Sequence, residues 1–201
     1  STLMKVLSGV YPVGTYDGEI LIRGKEARFK SIKESQDAGV AIIYQELALV
    51  GEMTIAENLF LGHDLMRTAV INWNEIYKRS IVALKKVGLD LDPQMKVSQL
   101  TVGKQQLIEI AKALTKETDI LILDEPTAAL TESDVAVLVK LLNELRQQGV
   151  TCIYISHKLG EVMALADSIT ILRDGQTIST DVIGEMTEEK IITKMVGREL
   201  T

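Results

Sequence analysis

Two adjacent acids, Asp124 and Glu125, directly follow the short apolar run of residues 120–123. Such a run is typical of a parallel strand that is buried on both faces, and open α/β sheets bind their ligands at the carboxyl ends of these strands. The first acid of such a pair can hold Mg²⁺ through water, and the second can orient a water that attacks a phosphoryl group. The pair alone leaves open a structural role in which Glu125 caps the turn before Pro126.

The elements that position this pair are predicted from hydrophobic patterning. Short apolar runs at residues 40–44, 119–123 and 150–155 predict three core strands buried on both faces. Residues 104–116 and 133–147 each place apolar side chains on one face of a helix. Because strands and helices alternate, we expect crossover connections in an α/β parallel sheet.

Other regions of the chain differ from this alternating pattern. Residues 18–24 form a short apolar run between glycines and predict a partial antiparallel β appendage. A helical subdomain, inserted between two core strands, is predicted over approximately residues 54–116. Asp174 and Gly175 between alternating runs predict a hairpin turn, and a capped helix is expected over residues 187–196.

The overall composition limits the classes of function. The chain has 201 residues, 46% of them hydrophobic, which is enough to bury a core. Its net charge of −6, with acids and bases interspersed, gives no broad basic surface, so no nucleic-acid partner is expected. The single cysteine, Cys152, cannot form an internal disulfide and is expected to pack in the core. No apolar run is long enough to span a bilayer, so any role at a membrane is expected to involve docking.

The residues around the acidic pair carry a family resemblance. Residues 120–130, I-L-I-L-D-E-P-T-A-A-L, resemble the Walker B motif and the following D-loop of ATP-binding cassette (ABC) ATPases. The resemblance implies a fold of the P-loop NTPase class, with ATP as the nucleotide and Mg²⁺ as its metal ion. It also implies that Asp124 binds Mg²⁺ and that Glu125 is a catalytic residue.

Two further polar residues stand where this family has its Q-loop and switch motifs. Gln45 follows the first core strand in A-I-I-Y-Q-E, and the resemblance implies that it contacts Mg²⁺ and the attacking water. His157 follows the third core strand in Y-I-S-H-K-L, and the resemblance implies a catalytic hydrogen bond to the γ-phosphate. A neutral imidazole can donate one hydrogen bond and accept another, as this role requires.

The family's signature motif is expected before the helix that precedes Walker B. Residues 100–105, L-T-V-G-K-Q, occupy that place and depart from the usual L-S-G-G-Q. Thr101 keeps the hydroxyl and Gly103 keeps a close backbone approach, whereas Val102 and Lys104 replace glycine and glutamine. A helix that begins near Lys104 would present a positive end to an anion. In the family this motif acts on ATP bound to the opposite domain.

The start of the chain resembles the end of a P-loop, G-x-x-x-x-G-K-S-T. Ser1 would supply a hydroxyl to Mg²⁺ and Thr2 would contact phosphate, but the glycines and the lysine of that motif are absent. We expect a partial ABC ATPase domain over residues 1–201 that lacks its N-terminal strands and most of its P-loop. Such a chain is expected to bind ATP poorly by itself.

Finer resemblance extends over the whole chain. Residues 44–50, 56–62, 103–114 and 195–200 are similar to the first ATPase domain of bacterial monosaccharide importers, and residues 7–20 are similar to the xylose type. This implies an ATPase that energises sugar import from the cytoplasmic face of the cell membrane. The implied partners are a second ABC ATPase domain, membrane permease subunits and, indirectly, a sugar-binding protein.

Two alternatives remain at this point. A soluble ABC ATPase of translation or DNA repair would share the nucleotide motifs without a permease. A fragment that does not hydrolyse ATP is consistent with the missing P-loop lysine. The sugar itself is expected to contact the binding protein and the permease rather than this subunit.

Overall fold

The structure is a computed structural model that describes residues 2–62 and 71–197. The helices are α1 (Thr2–Leu7), α2 (Ile32–Asp37), α3 (Ile55–Phe60), α4 (Trp73–Lys86), α5 (Val102–Ala113), α6 (Glu132–Gln147), α7 (Leu159–Leu165) and α8 (Glu188–Val196). The strands are β1 (Leu21–Ile22), β2 (Lys25–Glu26), β3 (Val40–Ile43), β4 (Ile120–Asp124), β5 (Thr151–Ile155), β6 (Ser168–Arg173) and β7 (Gln176–Val182). Short 3₁₀ helices lie at Val97–Gln99 and Ile183–Glu185.

A parallel sheet in the order β3, β4, β5 forms the framework of the site. Ile43 of β3 is paired with Leu123 of β4, and Asp124 of β4 is paired with Ile155 of β5. All three strands therefore end at the same edge of the sheet. This arrangement confirms the predicted parallel sheet with crossover connections.

Burial differs between the strands of this sheet. Leu121 and Leu123 of β4 are fully buried, whereas Ile153 of β5 is 37% exposed and Cys152 is half-buried. The prediction of burial on both faces is therefore confirmed for β4 and wrong for β5. The reason is that β5 packs mainly against one helix, α6, whereas β3 packs against both α2 and α5.

Helices α3, α4 and α5 pack against one another, and α5 also contacts β3 and α6. The start of α3 is fixed by a capping box, in which the Thr54 side chain accepts from the Glu57 N–H and the Glu57 carboxylate accepts from the Thr54 N–H. These helices lie within the helical subdomain predicted at residues 54–116, and their treatment as a separate subdomain stays a prediction. Part of that range, residues 63–70, lies outside the described residues.

The chain divides into two compact units, Ser1–Ile155 and Ser156–Thr201. In the second unit, β6 and β7 form the predicted hairpin, with Asp174 and Gly175 in the left-handed conformation at its turn. Helix α8 is capped by Thr187, as predicted, and ends at Gly197 with φ of 76°. Lys194 of α8 forms an ion pair with Asp181 of β7 at 2.7 Å.

Two smaller features complete the fold. Strands β1 and β2 pair in the antiparallel sense, which confirms the predicted antiparallel β appendage, although β1 covers only Leu21–Ile22 of the predicted residues 18–24. In residues 2–62 and 71–197, no helix has both the length and the apolar character that crossing a membrane requires.

Candidate functional site

The acidic pair lies at the carboxyl end of the central strand. Asp124 is the last residue of β4, and the N–H of Glu125 donates to the Ile155 carbonyl oxygen at 2.9 Å. Glu125 has φ of 49°, in the left-handed region that residues other than glycine seldom adopt. Such a conformation persists only where the surroundings fix it, and it is concentrated at functional sites. The backbone therefore turns sharply at the predicted catalytic residue.

The turn after Glu125 is held by its own main chain. The Ala128 N–H donates to the Glu125 carbonyl oxygen, and the Leu130 N–H donates to the Thr127 carbonyl oxygen, both at 3.3 Å. Pro126 and Thr127 are buried. The turn then leads into α6, which begins with a full capping box formed by Thr131 and Asp134. The acidic pair is thus fixed by the sheet on one side and by a capped helix on the other.

Gln45 lies two residues beyond β3, at the same edge of the sheet. Ile43, the last residue of β3, is paired with Leu123, the residue before Asp124. Both Gln45 and the next residue, Glu46, are exposed, and residues 44–50 have no regular secondary structure. The topology therefore brings the segment that carries Gln45 to the side of the acidic pair.

Two buried polar side chains, to which the sequence interpretation gave no role, bind the main chain just after Gln45. The Ala48 N–H donates to Oε1 of Glu109 at 3.0 Å. The Val50 N–H donates to Oδ1 of Asn58 at 2.8 Å, and Nδ2 of Asn58 donates to the Val50 carbonyl oxygen at 3.0 Å. The only signal in the sequence was a charged residue between two isoleucines of an amphipathic helix.

Burial raises the pKa of the Glu109 carboxyl above its ordinary value of 4.5. Lys112, one turn further along α5, and the hydrogen bond from Ala48 act in the opposite direction and offset part of this effect. The carboxyl is thus withdrawn from water, and its hydrogen bond to the main chain partly compensates for the loss of hydration.

The signature residues lie at the start of α5. The helix begins at Val102, two residues before the predicted start, and Thr101 is its N-cap. Thr101, Val102 and Lys104 are exposed, whereas Gly103 is buried. A Cβ atom at Gly103 would overlap the carboxylate of Asp134 in α6. A side chain at this position would displace the Asp134 carboxylate from the capping box of α6, so packing inside this chain favours glycine, in addition to any contact with a ligand.

Thr2 and Ser1 belong to the start of the chain. Thr2 is the first residue of α1 and is exposed, and Met4 of the same helix packs with Phe29, Val40 and Ile122. Ser1 lies outside the described residues. The predicted contacts of both residues with phosphate and Mg²⁺ stay predictions.

His157 follows β5 by two residues and is exposed at the start of the second compact unit. The adjacent backbone is fixed locally, because the Lys158 N–H donates to Oγ of Ser156 at 3.0 Å. Its predicted hydrogen bond to the γ-phosphate stays a prediction.

The donor set at the sheet edge fits a nucleotide-dependent magnesium site. Among the described residues there is no group of three or more His, Cys, Asp or Glu side chains that could hold a metal ion. Mg²⁺ is commonly held by one or two carboxylates together with phosphate oxygens and waters, rather than by a cage of protein ligands. Asp124 and the amide oxygen of Gln45 offer oxygen donors of the required kind.

Comparison with known proteins gives relatives over the whole chain. The chain is 71% identical over 200 residues to the xylose import ATP-binding protein of Geobacillus kaustophilus, covering 100% of this chain and 40% of that protein. It is 58% identical over 203 residues to the L-arabinose transport ATP-binding protein of Geobacillus stearothermophilus, with the same coverage of both. The chain therefore spans 40% of the length of these curated relatives.

Solved structures share the fold. An ATP-binding cassette of an ABC transporter aligns with a TM-score of 0.82 and 22% identity, covering 100% of this chain and 83% of that one. The structure of cbiO1 from Clostridium perfringens, part of the ABC transporter complex cbiONQ, aligns with a TM-score of 0.77 and 26% identity. That alignment covers 96% of this chain and 76% of the other. The predicted α/β fold of an ABC ATPase is confirmed.

The family model described as ABC transporter matches residues 1–128, which is more than half of the chain. Membership in this family implies nucleotide binding, in agreement with the oxygen donors at the sheet edge. The match ends within the turn that follows Glu125, so it includes the signature residues and the acidic pair. The chain therefore belongs to the ABC transporter family.

Proposed function

We propose that the protein to which this chain belongs binds and hydrolyses ATP to energise the import of a monosaccharide, with xylose as the sugar. The sugar assignment is supported by relatives named as xylose import ATP-binding proteins, which are 50–71% identical to this chain. The observation that carries the hydrolytic part is the left-handed turn at Glu125, held against β5 by the hydrogen bond to Ile155.

Each site residue is assigned the role that the family resemblance implies, and its chemistry is compatible with that role. Asp124, Gln45 and Ser1 hold Mg²⁺ through oxygen atoms, and Thr2 contacts phosphate. When bound, Mg²⁺ neutralises charge on the phosphate oxygens. Glu125 lies one residue beyond the metal-binding acid, where its carboxylate orients the attacking water and accepts its proton.

His157 is assigned a hydrogen bond to the γ-phosphate, with one ring nitrogen as the donor. Because a neutral imidazole keeps its second nitrogen as an acceptor, the side chain can also be oriented by a protein group. Removal of the imidazole is therefore expected to slow hydrolysis more than it weakens ATP binding.

The start of α5 is assigned to ATP bound by a second ABC ATPase domain. Thr101 offers a hydroxyl, Gly103 carries no side chain of its own although it packs against Asp134, and the helix end favours an anion. Lys104 is exposed beside them and adds a positive charge. Val102 is exposed as well, so its side chain is available to an opposing surface.

The proposed partners beyond the second domain are membrane permease subunits and, indirectly, a sugar-binding protein outside the membrane. The proposed location is the cytoplasmic face of the bacterial cell membrane. No nucleic-acid partner is proposed, because the net charge of −6 gives no basic surface for phosphate backbones.

The test uses the full-length protein assembled with its permease, and compares Glu125→Gln with the unmodified protein. Hydrolysis of ATP should fall at least about 100-fold, since the proton acceptor is lost, while nucleotide binding is retained. Glu117→Gln is the matched control, because Glu117 is exposed and lies near the opposite end of β4. Its turnover should equal that of the unmodified protein.

Unchanged turnover in Glu125→Gln would refute the catalytic assignment. Uptake of labelled xylose and L-arabinose by the assembled transporter tests the assignment of the sugar. Uptake of L-arabinose without uptake of xylose would change that assignment to L-arabinose. Association of the protein with ribosomes or DNA, in place of membrane subunits, would favour the soluble alternative.

A further inference from the structure

The segment of residues 45–50 connects the end of the sheet to the helices, and its main chain is not part of any strand or helix. Backbone groups outside regular structure need other hydrogen-bond partners when they are withdrawn from water. Here the partners at Ala48 and Val50 are side chains from two different helices. The path of the chain after Gln45 therefore depends on those helices.

Glu109 is the first of these partners. It belongs to α5, is 9% exposed, and accepts the Ala48 N–H across a separation of 61 residues in the chain. Its neighbours Ile108 and Ile110 are fully buried. A carboxylate in such surroundings loses most of its hydration. An apolar side chain at this position would therefore cost less free energy of folding. The hydrogen bond to the segment is the specific contact that distinguishes Glu109 from an apolar residue.

Asn58 of α3 is the second partner and is fully buried. Its side chain accepts from the Val50 N–H and donates to the carbonyl oxygens of Val50 and Thr54, the latter at 3.0 Å. These bonds use both polar atoms of the amide. Val50 is thereby fixed to α3, while Ala48, three residues from Gln45, is fixed to α5.

From these contacts we propose that Glu109 is a positioning residue, which ties the segment carrying Gln45 to α5, so that Gln45 and the signature residues shift together. The inference rests on the proposed function, because Gln45 and Thr101 matter to catalysis only in an ATPase. Helix α5 runs from Val102 to Ala113 and carries both the signature residues and Glu109. A single rigid element thus connects the two motifs.

The proposal predicts that loss of the Glu109 hydrogen bond lowers kcat and leaves the KM for ATP nearly unchanged. Loss of the tie leaves the phosphate contacts intact, so the KM for ATP should stay within about 2-fold. The position of Gln45 becomes less defined, so kcat should fall about 10-fold, as expected for a misplaced group near the reacting atoms. Gln45→Ala should remove the same contribution, so the two changes should be strongly non-additive.

The experiment uses the full-length protein assembled with its permease, in four variants. Glu109→Leu removes the tie and fills the site with an apolar side chain. Glu109→Gln keeps an oxygen acceptor for the Ala48 N–H and should restore turnover to near that of the unmodified protein. Gln45→Ala and its combination with Glu109→Leu complete a double-mutant cycle.

A second measurement does not depend on hydrolysis. Hydrogen exchange of the Ala48 amide should be faster in Glu109→Leu than in Glu109→Gln, because only the second retains an acceptor. The Val50 amide, held by Asn58, is the internal control and should exchange at the same rate in both variants. The side-chain amide NMR signal of Gln45 should shift in Glu109→Leu and stay in place in Glu109→Gln.

Slow exchange of the Ala48 amide in Glu109→Leu would overturn the proposal, as would additive effects of Glu109→Leu and Gln45→Ala on kcat. Failure of the proposed function is a separate result, namely no turnover that depends on Glu125. In that event the side-chain amide NMR signal of Gln45 still tests the positioning role of Glu109. An unchanged signal in Glu109→Leu would show that Glu109 does not position Gln45.

Discussion

The turn after β4 and the segment after β3 leave the same edge of one sheet, yet they are held by different means. The turn at Glu125 is fixed by main-chain hydrogen bonds, one of them to the neighbouring strand β5. The segment at Gln45 is fixed by the side chains of Glu109 and Asn58, which belong to α5 and α3. One half of the site is thus part of the sheet, and the other half depends on the helices.

Under the proposed function, this difference matches two separate requirements. A carboxylate that orients water has to hold one position, and hydrogen bonds within the sheet would supply that position. The proposed positioning of Gln45 requires its segment to follow α5 and α3, and side-chain hydrogen bonds from these helices would allow that without any change in the sheet.

The largest effect is expected from removing the polar side chain that holds Val50. Asn58→Ala leaves the Val50 N–H without its partner and removes one of two donors from each of the Val50 and Thr54 carbonyl oxygens. The expected cost is about 2 kcal/mol in the free energy of unfolding. Denaturant unfolding of the full-length protein measures it. Asn74→Ala, at an exposed position of α4, is the control and should change stability by less than about 0.5 kcal/mol. A cost below about 1 kcal/mol for Asn58→Ala would show that helix contacts do not fix the segment.

A smaller effect tests whether the sheet holds Glu125 in the left-handed conformation, which residues other than glycine disfavour. Glu125→Gly should be more stable than Glu125→Ala by about 1 kcal/mol, because glycine adopts φ of 49° without a penalty. Both variants lose the carboxylate and every contact beyond Cβ, so their difference in unfolding free energy reports mainly on the backbone. At Glu144, in the interior of α6, the order should reverse, since alanine favours a helix by about 1 kcal/mol over glycine. The same order at both positions would contradict a backbone penalty at Glu125.

The third effect concerns pH. Because burial raises the pKa of Glu109, the folded protein retains its proton at pH values where the unfolded chain has lost it. The contribution of Glu109 to stability is therefore fully present below its ordinary pKa of 4.5, and it is lost as pH rises through the folded pKa. Glu109→Gln does not titrate, so its stability relative to the unmodified protein should increase from pH 4 to pH 7. A constant difference between the two proteins over this range would contradict the raised pKa.

Local patterns were sufficient to predict much of this molecule. The strands β3 and β4, the helices α5 and α6, and the hairpin at Asp174 and Gly175 each follow from residues close together in sequence. The acidic pair was identified in the same way, since its chemistry and its strand are adjacent. In each of these features the hydrophobic period, the turn residues or the sequence motif lies within the element that it predicts.

Features that depend on distant residues were not predictable in this way. The exposure of β5 depends on which helices pack against it, although its composition is that of a buried strand. The contact of Glu109 with Ala48 joins positions 61 residues apart. The sequence pattern predicts the start of α5 two residues late, because its N-cap, Thr101, makes no side-chain capping bond that would mark the position.

The overlap that a side chain at Gly103 would make with Asp134 also bears on how the signature motif can vary. A side chain at Gly103 would require the Asp134 carboxylate to move, and that carboxylate completes the capping box of α6. Position 103 is therefore constrained by a contact inside this chain. Val102 and Lys104 are exposed and carry no such constraint. The motif therefore has room to diverge at the positions on either side of Gly103, where this chain departs from L-S-G-G-Q, while the glycine itself is retained.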